Sequence, residues 1–212
     1  MQSKEDATSK PLPNARATSA PTRDHLIDVG LDLMRRHGYG ATGLQEILQS
    51  AGVPKGSFYH HFASKEEFAA AVIERYLALA AEHCRQILSS THQTPLKRLR
   101  RYFEDLIRRA GQSAPVPGCL MGSLSLEIAG ASPLLQGCLS SSFAQWQVAV
   151  AAILQEAVEK GELPKSTKSD SLAGFVLNSW EGALLRSQAD KSDAPLNDFL
   201  RYTFEVLLAH RD

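Results

Sequence analysis

Apolar residues recur every three or four positions through most of the chain from residue 22 onward, and polar residues fill the positions between them. This spacing is typical of amphipathic helices that bury one face. The first such stripe consists of Leu26, Ile27, Leu31, Leu33 and Met34. The sequence contains no sustained alternation of apolar and polar residues, which a half-buried strand requires, so we predict an all-α protein.

Ser and Thr residues that favour the N-cap position mark the starts of several helices. Thr42 with Gln45, and Ser64 with Glu67, have the spacing of a capping box. Two further starts, at 94–95 and 132–133, combine such a cap with a proline, which is favoured in the first helical turn. Together with the apolar stripes, these signals predict helices at residues 22–38, 42–50, 55–62, 64–87, 94–109, 119–128, 132–161, 172–187 and 195–210.

Residues 1–21 are rich in Ser, Thr, Pro, Lys and Ala and contain almost no apolar residues. Such a segment cannot bury enough apolar surface to offset the entropy of ordering, so we expect a disordered tail. The alternative is a basic arm that touches DNA, which Glu5 and Asp6 oppose.

The composition excludes several classes of protein. Lys and Arg (23) balance Asp and Glu (23), which excludes a histone-like excess of positive charge but allows a local basic patch. No apolar run approaches the roughly 20 residues of a membrane helix, and the charged N-terminus lacks the apolar segment of a secretory signal. Three widely spaced cysteines argue against a disulfide framework. We therefore expect a cytoplasmic protein with no membrane partner.

Residues 42–62 have the layout of a helix-turn-helix, in which two short helices are joined by a turn that contains glycine. Gly52 permits the backbone geometry of the turn. Ile47, Val53 and Phe62 are predicted to fill the core beneath the two helices. The second helix is short enough to enter the major groove of B-DNA, which is about 12 Å wide.

Polar groups on this second helix remain available to face outward. Hydroxyl groups and lysine charges in the segment suit contacts with phosphates, which position a protein on the duplex. The side chains predicted to point away from the core are Lys55, Ser57, Tyr59 and His60.

A family resemblance lies in residues 42–68, which run T-G-L-Q-E-I-L-Q-S-A-G-V-P-K-G-S-F-Y-H-H-F-A-S-K-E-E-F. This segment resembles the DNA-binding signature of TetR-type regulators, and its A-G-V-x-x-G-x-x-Y-x-x-F-x-x-K-E core is specific over its length. The resemblance extends from Arg23 to about Val72. Carried onto this sequence, it implies DNA contacts from Thr42, Gln45, Pro54, Lys55, Gly56, Ser57, Tyr59, His60 and Lys65.

The resemblance also implies a division of the chain. Residues 22–68 would form a three-helix DNA-binding domain, and residues 69–212 a helical domain that binds an inducer and dimerises. Apolar stripes on the last two predicted helices either complete the monomer core or pack against a second copy as a four-helix bundle. A homodimer suits double-stranded operator DNA, because paired half-sites one turn apart add to the few base contacts of one helix-turn-helix.

Two motifs in the C-terminal half narrow the resemblance. They are P-G-C-L-M-G-S-L-S-L-E at residues 117–127 and N-S-W-E-G-A-L-L at residues 178–185. Both are similar to one branch of the TetR-type family, that of the electrophile-responsive repressor NemR and the acrylate-utilisation regulator AcuR, with AcuR the more similar. This similarity implies a repressor whose inducer is a small unsaturated or carboxylate molecule such as acrylate.

Candidate ligand-binding residues lie on the C-terminal helices, where apolar walls and a few polar groups would form a cavity. Cys119 is predicted near a helix start, where a thiol can have a lowered pKa and react as a thiolate with electrophiles or oxidants. The alternative is a buried, unreactive cysteine. The candidates are Cys119, Phe143, Trp146, Trp180, Glu181 and Arg108, the last as a partner for an anionic ligand, with Arg109 and Arg186 as alternative partners.

Metal and cofactor chemistry finds no support in the sequence, and we expect neither. His60 and His61 are adjacent, so they do not share a helix face, and no third ligand lies at a useful spacing. Two alternatives to a reversibly induced repressor remain. One is a regulator switched by covalent modification of Cys119, and the other is a helical enzyme with Cys119 as nucleophile and a distant base such as His83. We favour a regulator over an enzyme.

Overall fold

The computed structural model describes residues 23–111, 118–128, 130 and 132–209. These residues form α-helices and one π-helical turn, Thr203–Leu207, with no strands, so the all-α prediction is confirmed. The predicted tail, the start of the first predicted helix at residue 22 and the end of the last at residue 210 lie outside the described residues. The helices are α1 (Arg23–Ala41), α2 (Leu44–Ala51), α3 (Lys55–His61), α4 (Lys65–Leu88), α5 (Pro95–Gly111), α6 (Leu120–Ile128), α7 (Pro133–Glu159), α8 (Ser169–Asp190) and α9 (Ala194–Tyr202).

The first helix, which was predicted to end at residue 38, is only interrupted at Gly38. The backbone there has φ 81° and ψ 174°, a conformation that glycine adopts more readily than any residue with a Cβ atom. Helical geometry resumes and continues to Ala41. The interruption separates the main length of α1 from the short segment that leads into α2.

The helix caps follow the sequence signals in two places and depart from them in one. Ser64 accepts a hydrogen bond from the Glu67 amide at 3.1 Å, and Ser132 accepts one from the Leu135 amide at 3.1 Å. The predicted capping box at Thr42 and Gln45 is wrong, because Gly43 is the N-cap of α2 and supplies no side chain.

Helix α4 connects the two parts of the molecule. Helix α4 packs against α1, and α1 also packs against α2. Helix α4 packs against α5 and α7 as well. Helix α7 in turn packs against α8, and α8 against α9. One apolar core runs through all of these contacts, so the helix-turn-helix and the C-terminal helices are joined by continuous packing.

Among the described residues, only α7 has the length and mean hydropathy (1.2) of a membrane-crossing helix. It packs against α4, α5, α6 and α8, and it buries Leu139, Val150 and Leu154 in those contacts. One face of α7 therefore belongs to the packed core.

Candidate functional site

The turn between α2 and α3 sets the direction of α3. Gly52 ends α2 in the left-handed conformation (φ 67°), and the Val53 amide donates to the Leu48 carbonyl at 3.0 Å. Pro54 then precedes α3 in an extended conformation. Glycine is the residue that adopts this left-handed turn without steric cost, which explains the Ala51-Gly52-Val53 motif.

An aromatic cluster holds α3 in place from beneath. Phe58, Phe62 and Phe68 are at most 1% exposed, and their ring centroids lie 5.0–5.4 Å apart. The predicted burial of Ile47, Val53 and Phe62 is confirmed. Phe58 was not among the predicted core residues, although its spacing of four residues from Phe62 places both on one helix face.

The opposite face of α3 is open to solvent. Tyr59 is 50% exposed, and the Lys55 ammonium lies 5.8 Å from the centre of its ring. Ser57 is partly exposed. The other predicted contact residues that the structure leaves exposed are Gln45, Pro54, Gly56 and His60. A compact set of polar and aromatic groups therefore projects from the helix-turn-helix.

Two predicted DNA contacts are occupied by interactions within the chain. Thr42 is fully buried, and its hydroxyl donates to the Gly38 carbonyl at 2.6 Å, so the predicted phosphate contact of this hydroxyl is wrong. The Lys65 ammonium donates to the Tyr39 carbonyl at 2.7 Å and lies 4.4 Å from the Tyr39 ring centre. Burial lowers the pKa of Lys65, while the charge of Glu127 opposes that shift.

A cavity of about 800 Å³ lies in the C-terminal half. Its walls come from α1, α4, α5, α7 and α8 and from the residues that precede and begin α6. Three of the predicted ligand-binding residues, Cys119, Trp146 and Trp180, line this cavity. Its volume lies within the range of about 300–1,000 Å³ that is usual for small-molecule sites.

The other predicted ligand-binding residues lie elsewhere. Phe143 lines a separate pocket of about 250 Å³ between α6 and α7. Arg108 is exposed, pairs with Asp105 and is not among the residues that line the large cavity. Glu181 is not a lining residue, but its carboxylate accepts a hydrogen bond from the thiol of the lining residue Cys119. Burial raises the pKa of Glu181, and its Oε1 has no hydrogen-bond partner among the described residues.

Cys119 has the opposite protonation behaviour to that expected of a reactive thiol. It is 8% exposed, and burial together with the Glu181 carboxylate raises its pKa to about 12. Backbone amides of Met121 and Gly122 do favour the thiolate, as a helix start should, but their effect is smaller than that of desolvation. The expectation of a lowered pKa is therefore wrong.

The cavity wall also contains polar residues that sequence reasoning did not assign to it. The Tyr76 hydroxyl lies 4.0 Å from the Cys119 sulfur, and Tyr102 and Cys84 are neighbours on the wall. His83 Nε2 lies 2.8 Å from Asp105 Oδ2, and burial and nearby arginines lower the pKa of His83. The signal that could have found them is the helical spacing of Tyr76, His83 and Cys84, which places these residues on one side of α4.

Comparison with known protein families decides the class of this molecule. Residues 26–72 match the model described as "Bacterial regulatory proteins, tetR family", and residues 95–203 match "Tetracyclin repressor-like, C-terminal domain". The chain belongs to the TetR family. It is therefore a transcriptional repressor of the TetR type, and its family and relatives are regulators rather than enzymes, which excludes the cysteine-dependent enzyme.

Similar proteins cover almost the whole of this TetR-family chain. The repressor DhaR of Mycobacterium sp. (strain GP1) is 34% identical over 188 residues, which are 89% of this chain and 93% of DhaR. AcuR of Cereibacter sphaeroides is 34% identical over 192 residues, 89% of this chain and 86% of AcuR. A crystal structure of reduced Escherichia coli NemR aligns with a TM-score of 0.82 at 29% identity, covering 87% of this chain and 95% of NemR. The predicted AcuR and NemR branch is thereby confirmed.

Helix α6 makes a direct contact between the cavity and the DNA-binding part of this TetR-family molecule. Its first turn follows Cys119 on the cavity wall. Near its other end, the Glu127 carboxylate accepts a hydrogen bond from the Gly40 amide at 2.8 Å. The side chain also fills the space beside Gly38, where a Cβ atom would lie 2.2 Å from Glu127 Oε1. A movement of α6 would therefore alter the contacts of Glu127 with Gly38 and Gly40, at the interruption of α1.

The outer faces of α8 and α9 carry apolar side chains that the monomer leaves uncovered. TetR-family regulators function as dimers, and such a surface is compatible with the predicted four-helix bundle with a second copy. The exposed apolar residues are Phe175 and Leu185 on α8, Tyr202 at the end of α9, and Val206 and Leu207 in the π-helical turn. On α8, Gly182 has no atom within 4 Å of its Cβ position, so a second copy can approach closely there.

Proposed function

We propose that this chain acts in the cytoplasm as a homodimeric repressor that binds double-stranded operator DNA through α3 and releases it when a small molecule enters the cavity. The observation that carries the proposal is the exposed polar face of α3, fixed on a filled aromatic core. The same chain contains a cavity of ligand size, and α4 connects the two. A rigid helix-turn-helix and a ligand-sized cavity in one packed molecule suit DNA binding that is regulated by a ligand.

The proposed DNA contacts follow from exposure. Lys55 supplies charge to a phosphate, while Tyr59 and His60 reach outward from the middle of α3. Gln45, which is exposed on α2, contacts the sugar-phosphate backbone of the DNA. Residues Pro54, Gly56 and Ser57 allow the start of α3 to come close to the duplex, whereas Thr42 and Lys65 support the local fold.

Two recognition helices must be held at the spacing of successive major grooves. We place the dimer contact on the exposed apolar faces of α8 and the π-helical turn. Helix α4 has 24 residues and is therefore about 36 Å long, which is sufficient to carry a change from the cavity to α3. Ligand binding shifts the balance only by its differential affinity for the two arrangements.

The proposed inducer is a carboxylate that fits the cavity, and the AcuR similarity favours unsaturated acids, the class to which acrylate belongs. The alternative is covalent modification of Cys119 by an electrophile or oxidant, and the similarity to NemR supports it. The raised pKa of Cys119 opposes this alternative because the thiolate is the reactive form. Mass spectrometry after inducer treatment separates the two, since only the covalent route leaves an adduct on Cys119.

A mobility-shift experiment on the DNA upstream of the protein's own gene tests the proposal. We expect the purified chain to shift this DNA, and Lys55→Ala and Tyr59→Ala to weaken binding while the fold is retained. Lys165→Ala is the matched control, because Lys165 is an exposed lysine between α7 and α8, outside the helix-turn-helix. Absence of a shift by the wild-type protein, or an equal loss with Lys165→Ala, would contradict the proposal.

A further inference from the structure

The charged side chains on the cavity wall are almost all neutralised within the chain. Glu82 and Arg85 form an ion pair with each other. Arg109 donates from its Nε to Asp105 at 2.7 Å. Arg35 is the exception: it lines the cavity, and no ion pair or hydrogen bond to it is found among the described residues. The cavity therefore has one cation without an internal counter-charge in the described part of the chain.

The position of Arg35 is specific to the cavity. Leu31, one turn earlier on α1, also lines it. Arg35 is close enough to Tyr76 for its charge to oppose the rise in the pKa of that buried phenol. The next residue, Arg36, pairs with Asp32 instead and does not line the cavity. Two adjacent arginines on one helix therefore have different surroundings.

The size and lining of the cavity indicate the body of the ligand. Tyr76, Tyr102, Trp146 and Trp180 provide aromatic walls, and Met121 adds an apolar thioether. A dry cavity of about 150 Å³ is sufficient for benzene. The volume here is about 800 Å³, so an acid with only three carbons would leave most of these apolar walls without contact.

We infer that the ligand is an amphipathic carboxylate, in which an aromatic or alkyl body larger than acrylate occupies the cavity and the carboxylate pairs with Arg35. The inference rests on the proposed function, because it assigns the cavity to the inducer. A guanidinium binds a carboxylate through two parallel hydrogen bonds, which gives a preference for the acid over its amide.

The anchor has a consequence for signalling because it lies outside the C-terminal domain. Arg35 belongs to α1, the helix that packs directly against α2 of the helix-turn-helix. A ligand whose body contacts α5, α7 and α8 while its carboxylate binds α1 joins the two domains. Occupation of the cavity then favours one position of α1 relative to α4.

Binding of 3-phenylpropionate, 3-phenylpropanamide and acrylate to the full chain without DNA tests the inference. Both tryptophans of the chain, Trp146 and Trp180, line the cavity, so their fluorescence reports occupation, and calorimetry supplies the dissociation constants. We expect 3-phenylpropionate to bind more tightly than acrylate. We also expect it to bind roughly tenfold more tightly than its amide, which is the usual scale for a hydrogen bond to a charged group.

Variants of the two adjacent arginines identify the anchor. Arg35→Gln should abolish the preference for the acid over the amide, Arg35→Lys should retain most of it, and Arg36→Gln should leave it unchanged. Arg35 is exposed and has no ion pair or hydrogen bond within the described part of the chain, so melting temperatures should remain equal. Failure of 3-phenylpropionate to bind, equal binding of acid and amide, or survival of the acid preference in Arg35→Gln would each overturn the inference.

The same proteins separate this inference from the proposed function. If the acid binds with the Arg35-dependent preference but leaves the operator complex intact, the carboxylate site at Arg35 is supported. The proposal that a ligand releases the operator is then contradicted. If an uncharged ligand releases the operator and carboxylates do not bind, the proposed function stands and the Arg35 anchor fails.

Discussion

The two halves of the molecule use buried aromatic rings in different ways. Beneath α3, the rings of Phe58, Phe62 and Phe68 pack against one another and are at most 1% exposed. In the C-terminal half, Trp180 packs against Phe103 at 5.3 Å between ring centroids, yet it also lines a cavity of about 800 Å³. The filled cluster fixes the position of a helix, whereas the hollow one leaves room for a ligand.

The two halves therefore differ in how completely their interiors are packed. Atoms that line a cavity lose dispersion contacts, so the C-terminal half is less tightly packed than it could be. A ligand that filled the cavity would restore those contacts and would stabilise the folded state by mass action. The DNA-binding half does not need such adaptability, because its task is to present one surface in one position.

The largest effect is expected from removing a ring of the filled cluster. Phe58→Ala should lower the free energy of unfolding by about 3–5 kcal/mol, since a buried aromatic side chain leaves both lost transfer energy and a cavity. Chemical denaturation followed by circular dichroism measures the change. Tyr59→Ala is the control, because Tyr59 is adjacent and half exposed; we expect it to affect operator binding and leave unfolding nearly unchanged. Equal destabilisation by the two variants would contradict the filled-cluster description.

The buried thiol of the cavity provides the second test. The pKa of Cys119 is raised to about 12 from an ordinary 9.0, so its thiolate fraction at pH 7 is lower by about three orders of magnitude. Alkylation by iodoacetamide, mapped by mass spectrometry, should modify the partly exposed Cys138 first and Cys119 only slowly. Rapid modification of Cys119 at pH 7 would favour the covalent switch.

The same pKa predicts the pH dependence of stability. The folded-state pKa of Cys119 lies above the ordinary value, so its contribution is fully present below pH 9.0 and is lost as the pH rises towards about 12. Unfolding at alkaline pH should show this loss, and Cys119→Ser should reduce it. An identical alkaline profile for both proteins would contradict the assignment.

Glycine substitutions compare a crowded with an open position. A Cβ atom at Gly30 would lie 2.3 Å from the ring of the fully buried Phe68, so Gly30→Ala should cost about 1–3 kcal/mol of unfolding free energy. Gly137 lies in α7 with nothing within 4 Å, and Gly137→Ala should stabilise the protein by roughly 0.5–1 kcal/mol. Thermal denaturation measures both, and the two shifts should have opposite signs.

The smallest effect is expected at the contact between the two halves. Glu127→Ala removes the carboxylate that accepts from the Gly40 amide, which is worth about 1 kcal/mol or less at this exposed position. We expect a change of a few-fold in operator affinity with unchanged ligand affinity, measured by fluorescence anisotropy and calorimetry. Glu159→Ala, at the end of α7, is the control. If both glutamate variants behave alike, α6 does not couple the cavity to the DNA-binding half through Glu127.

The sequence predicted the helix-turn-helix well because its determinants are contiguous. The turn at Gly52 and the apolar positions around it lie within one short motif, and the structure places them as expected. Thr42 was misassigned because its hydroxyl partner, the Gly38 carbonyl, is set by the break in α1 rather than by the motif. The local sequence pattern therefore predicted the helix-turn-helix but not the hydrogen-bond partner of every side chain in it.

The cavity was harder to predict because its walls come from helices far apart in the chain. The aromatic residues Trp146 and Trp180 were found, since large rings on apolar helices signal a core or a pocket. Arg35 was missed because it lies in the DNA-binding half. The pKa of Cys119 was predicted in the wrong direction because Glu181 and the burial that raise it belong to tertiary packing.

If the proposed dimer forms through the exposed apolar faces of α8 and the π-helical turn, repression also depends on gene dosage. If only paired copies present two recognition helices to an operator, the active species is formed by a bimolecular reaction. Below the dissociation constant of the pair, its concentration varies with about the square of the chain concentration, so a twofold fall in synthesis lowers it about fourfold. A cell can thus relieve repression by diluting the protein during growth as well as by supplying a ligand.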